Sequence, residues 1–167
     1  MIKTVNMSMQ DLSPLISSCV ESGKEVVLTV TGNSMRPFIK DKRDQVILIK
    51  ADKENLQVND VPLYRRRNGK YVLHRLVKIE NGKYTMLGDA QVRLEPGIEP
   101  DQIVAIAKGF IRKGKTYPCD SKEYKRYVSF WNKMMPLRKF YFLLKRAPKA
   151  VLIRIKRLAK KILSLFK

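Results

Sequence analysis

Between residues 24 and 113 the chain switches repeatedly between short β-forming runs and turn words, and this punctuation constrains the fold more than any other feature. Residues 25–31, 45–50, 71–79, 83–87 and 103–111 are rich in Val, Ile, Thr and Tyr, side chains that fit a pleated, half-buried surface. Gly32-Asn33, the segment from Asp41 to Asp44, Asn68-Gly69 and Asn81-Gly82 separate runs of this kind. Asn-Gly enters left-handed backbone conformations at little steric cost, so both Asn-Gly pairs predict hairpins. The expectation is a mainly β fold with one compact β domain over residues 24–114.

The flanks read differently. Residues 8–23 predict one short helix, with Ser13-Pro14 suited to its N-cap and first position and Gly23 to its C-terminal stop, making 1–23 an N-terminal helical segment. Residues 115–167 predict a basic, helical C-terminal extension, with Pro136 and Pro148 separating three pieces. In its last piece Val151, Ile155, Leu158, Ile162 and Leu165 recur at helical spacing, with Lys156, Arg157, Lys160 and Lys161 on much of the other side.

Charge is concentrated in that extension. Residues 1–111 hold 17 Lys and Arg against 13 Asp and Glu, whereas residues 112–167 hold 18 against 2. Only the tail therefore calls for an anionic partner, and its wide Leu, Ile, Val and Phe stripe favours an anionic membrane surface, ahead of packing on the β domain or a partner protein and ahead of nucleic acid. The first ten residues lack the apolar run of a secretory signal, and no stretch reaches the length of an uncharged spanning helix. The expected location is peripheral, on the cytoplasmic face of a membrane. Cys19 and Cys119 lie far apart in sequence with no nearby histidine, which favours two free thiols over a metal site, a redox pair or a disulfide. No cofactor or metal is expected.

The chain has one histidine, His74, in the middle of an apolar run, and Ser34 lies in the turn Gly32-Asn33-Ser34-Met35-Arg36-Pro37. Alone, each is ordinary. In order, that turn, then Val72-Leu73-His74-Arg75, then Gly88-Asp89, resemble the type I signal peptidases and the self-cleaving repressor proteases. The resemblance covers roughly residues 28–111. It implies a coiled β-sheet protease domain, Ser34 as nucleophile and His74 as its base, the histidine form found in archaeal and endoplasmic-reticulum members. Gly88-Asp89 matches the family's acidic box, with Ala90 where asparagine is usual, and Glu95 falls where a later acid stands. Asp89 and Glu95 both remain candidates for orienting His74, with Asp89 preferred for its neighbours. Met35 is expected to anchor the loop by burial.

The chemistry fits these residue types. A serine hydroxyl needs an adjacent base to become a useful nucleophile, and a neutral imidazole serves near neutral pH. Gly32 allows close backbone approach, so that amides near it, including that of Ser34, would form an oxyanion hole. The expected function is a serine endopeptidase acting on peptide or protein substrates at the membrane surface. The rivals are an inactive peptidase fold that binds peptides and, less favoured, a basic nucleic-acid-binding protein.

Overall fold

The computed structural model describes residues 9–146, and side chains within 9–140 apart from Gln10. The chain divides into two compact units, 1–130 and 131–167. The expected amphipathic piece at 150–167 lies outside the described residues.

The first unit is mainly β. Helix α1 (Met9–Glu21) is followed by β1 (Val26–Thr29), β2 (Gln45–Ile49), β3 (Pro62–Arg65), β4 (Tyr71–Leu73), β5 (Arg75–Glu80), β6 (Lys83–Leu87), β7 (Glu95–Ile98), β8 (Ile103–Arg112) and β9 (Lys115–Pro118). Two antiparallel sheets result: one in the order β1-β2-β8-β3-β4, with β9 also paired to β8, and a smaller one in the order β5-β6-β7. The long strand β8 serves β2, β3 and β9.

Local chemistry explains the turns. Asn81 and Gly82 have φ of 50° and 70° and join β5 to β6 with Glu80 opposite Lys83, a two-residue hairpin turn with both central residues left-handed. Asn68-Gly69 sits in the β3–β4 hairpin, where the Gly69 amide donates to the Arg66 carbonyl and the Arg66 amide to the Lys70 carbonyl. Gly23 ends α1 as expected: at φ 78° its amide bonds the Val20 carbonyl, and the Lys24 amide reaches the Cys19 carbonyl. The N-terminal reading of that helix is corrected, because Pro14 lies inside α1 rather than at its first position.

Two further differences bear on the site. The run 71–79 is two strands, not one: β4 belongs to the large sheet and β5 to the small one, and His74 stands at the break between them. The β unit also continues past residue 114 to Phe130. Helix α2 (Lys122–Lys133) buries Tyr124 and Val128 in the main core with Ile16, Val20, Phe38, Leu63 and Phe110. A second core, of Tyr64, Leu76, Tyr84, Met86, Ile98 and Ile103 among others, joins residues of the two sheets. In the second unit, α3 (Met135–Arg146) carries Pro136 in its first turn, where the missing N–H is tolerated. Cys19 and Cys119 are free thiols.

Candidate active site

The Ser34 turn is closed at its neck and pinned from below. The Val30 amide donates to the Asp44 carbonyl at 2.9 Å, and the Lys42 amide to the Val30 carbonyl at 2.8 Å. Met35, Phe38 and Ile39 are buried in the main core, so the residues after Ser34 act as hydrophobic anchors. Met35 thus takes the anchoring place expected of it. Gly32 adopts φ 93°, a left-handed conformation open to glycine, and its amide donates to the Asp41 carboxylate at 2.7 Å. That amide therefore already has an acceptor. Among the described residues the Ser34 amide donates to no acceptor and remains the candidate donor.

His74 is 2% exposed. Its Nδ1 lies 3.2 Å from the Tyr64 hydroxyl and 3.7 Å from Glu95 Oε2. The Tyr64 hydroxyl donates to Glu95 Oε2 at 2.8 Å, and Arg66 grips the same carboxylate through Nε, at 2.6 Å from Oε1, and through Nη2. Burial dominates the imidazole's protonation and pushes it down to about 4; Glu95 and Asp89 act upward against this, and Arg66 downward. The ring is neutral at physiological pH. Burial would raise the Glu95 carboxyl, but hydrogen bonds from Arg66 and Tyr64 outweigh it and hold Glu95 below the usual range. Burial and the neighbouring Glu95 push the Tyr64 phenol far upward, so it stays protonated.

The two candidate acids have different places. Glu95 stands beside the His74 ring, whereas Asp89 pairs with Arg75 through 2.9 Å and 2.8 Å hydrogen bonds and accepts one from the Tyr127 hydroxyl at 3.1 Å. Of the two candidate acids, Glu95 is thus the nearer to the imidazole, while Asp89, preferred for its sequence neighbours, is engaged by Arg75. Arg75 and Asp89 are each 3% exposed. The guanidinium also donates to the Asn59 carbonyl and to the Tyr124 hydroxyl.

The Gly88-Asp89-Ala90 turn braces both halves of the site. The Ala90 amide donates to the Ser34 carbonyl at 2.7 Å, while Asp89 holds the arginine next to His74. A Cβ on Gly88 would lie 2.8 Å from the Ser34 carbonyl oxygen, so only glycine lets the turn approach this closely.

Ser34 and His74 line one cleft of about 240 Å³, with Thr31, Met35, Leu73 and Gln91 among its walls. Among the described residues no hydrogen bond joins the Ser34 hydroxyl to the imidazole, and such bonds commonly tighten only when substrate is bound. Sequence reasoning did not reach Tyr64 and Arg66. The triple-arginine run masked β3, although the Asn68-Gly69 hairpin carried the signal, since its register sets Tyr64 opposite Val72. Among the described residues no cluster of His, Cys, Asp or Glu is arranged to hold a metal ion.

The Peptidase S24-like family model matches residues 3–104, a span that contains Ser34, His74, Asp89 and Glu95. No curated protein matches the chain.

Proposed function

The chain belongs to the Peptidase S24-like family, within the superfamily of signal peptidases and self-cleaving repressors, and from that premise we propose that it is a serine endopeptidase with Ser34 as nucleophile and His74 as base. The observation that carries the reading is the shared cleft, where a serine on a pinned turn faces the same cavity as a buried, neutral imidazole. In the reaction the Ser34 hydroxyl attacks the scissile carbonyl carbon and its proton passes to His74. The Ser34 amide stabilises the developing oxyanion. The imidazolium then returns the proton to the leaving amine as the C–N bond breaks, leaving an ester on Ser34. Water, deprotonated by the same imidazole, hydrolyses that ester and restores both side chains.

Wild-type protein and Ser34→Ala, tested side by side on peptides with small residues before the cut, check this. The expected result is cleavage by the wild type alone. Equal background cleavage by both, across a broad peptide panel, overturns it and leaves a peptide-binding module.

The substrate is met at an anionic membrane surface. Residues 112–167 carry 18 Lys and Arg against 2 acids. On α3, Leu137 and Phe140 are each 57% exposed, three residues apart, beside Arg138 and Lys139. Each cation near an anionic leaflet contributes about 1 kcal/mol. No helix among the described residues is long and apolar enough to cross a membrane. The full-length chain is expected to float with phosphatidylserine-containing vesicles at low salt and to be released as salt rises. Failure to float, together with DNA binding that weakens steeply with salt, overturns this part in favour of nucleic acid.

A further inference from the structure

We infer that Tyr64 is a positioning residue of this site, standing between Glu95 and His74 and fixing the imidazole in the tautomer that leaves Nε2 free to take a proton. The inference rests on the peptidase reading for its purpose, though its geometry does not.

Counting protons assigns the tautomer. A phenol has a single proton and acceptor lone pairs on its oxygen. That proton goes to Glu95 Oε2, a charge-assisted bond at 2.8 Å. Toward His74 Nδ1, 3.2 Å away, the oxygen therefore presents a lone pair, and a bond forms only if Nδ1 carries hydrogen. A neutral imidazole has one N–H, so Nε2 is bare. Glu95 does not do this directly, because its nearest oxygen is 3.7 Å from Nδ1, beyond a good hydrogen bond. The carboxylate reaches the ring through the phenol.

The spacing also separates orientation from charge. Arg66 neutralises Glu95 from one side and Tyr64 holds it off from the other, so burial still dominates at His74. The arrangement sets which nitrogen is the base while leaving the ring uncharged at rest. Tyr64 is fully buried in the core, and its ring packs whether or not it carries oxygen, so the hydroxyl is the part to test.

His74 is the only histidine of the chain, so nitrogen-15 spectra of the 167-residue chain report on one imidazole. The wild type at neutral pH is expected to show Nδ1–H and a bare Nε2. In Tyr64→Phe this preference should be lost, with kcat lowered about 10²-fold and KM within about twofold. In Glu95→Ala the released phenol proton should turn to Nδ1 and move the hydrogen to Nε2, although Glu95 makes no hydrogen bond to the ring. A wild-type Nε2–H form, or an unchanged tautomer in folded Tyr64→Phe or Glu95→Ala, overturns the inference. Should Tyr64→Phe not fold, the wild-type and Glu95→Ala spectra still decide it. These spectra need no cleavage, so a protein that shows the tautomer pattern but cuts nothing refutes the peptidase reading alone.

Discussion

The Ala90 amide donates to the Ser34 carbonyl at 2.7 Å, so the turn after β6 directly supports the turn that carries the candidate nucleophile. The same turn reaches the neighbour of the candidate base through Asp89 and Arg75. One short segment thereby sets the spacing between two residues far apart in sequence.

Gly88→Ala should break that support. The added Cβ would meet the Ser34 carbonyl oxygen at 2.8 Å, a backbone atom with no easy retreat. The expected result is a stability loss of about 1–3 kcal/mol in denaturant unfolding, and a fall in cleavage larger than this loss accounts for, because Ser34 is displaced. A variant with wild-type stability and activity would show that the two turns do not depend on each other.

Arg75 and Asp89 form a buried pair, and removing either partner strands a charge. Arg75→Met and Asp89→Leu should each destabilise by about 3–5 kcal/mol, whereas the double variant should lose much less than the sum. Additive losses in the urea midpoints would mean the pair acts as two independent groups.

Two pH effects follow from His74, which faces Tyr64, Glu95, Arg66 and, at longer range, Asp89. Burial lowers its folded pKa from the ordinary 6.5 to about 4. In the proposed reaction neutral imidazole is the active form, so the acid limb of kcat/KM should fall near 4; a limb near 6.5 would contradict the buried setting. For stability, the unfolded chain takes up the proton first as pH falls. Stability should therefore decline between pH 6.5 and about 4, by up to about 3 kcal/mol. Glu95, whose folded pKa is lowered, adds its own loss as pH falls through that value. Denaturant melts of wild type and His74→Gln check this, with the slope above pH 5 expected to flatten in the variant.

Cys119 should be inert in the native protein. Burial pushes its thiol up to about 12, leaving little thiolate at pH 8. Alkylation followed by mass spectrometry should modify Cys119 only after unfolding; rapid native labelling would show that the region around β9 opens.

The β texture, both Asn-Gly turns and the Ser34 loop were legible because each depends on local backbone chemistry. The division of residues 71–79 was not. Apolar alternation continues through His74, and nothing in it says that Leu73 pairs in one sheet and Arg75 in another. Tyr64 and Arg66 escaped notice because their role depends on which strand lies beside theirs. The choice between Asp89 and Glu95 turned on the same point: neighbours in sequence favoured Asp89, and the buried demand of Arg75 claimed it. Helix α2 read as basic tail because its cations dominate the composition, while Tyr124 and Val128 do the docking.

The phenols of Tyr124 and Tyr127 reach across to the Arg75–Asp89 pair from a helix that begins well after the family match ends. A chain trimmed at that border would cut strand β8 near its start and uncover a guanidinium with its counter-ion. The smallest stable fragment of this chain should therefore be larger than the matched one, and the extra length is masonry beneath the buried ion pair rather than an accessory.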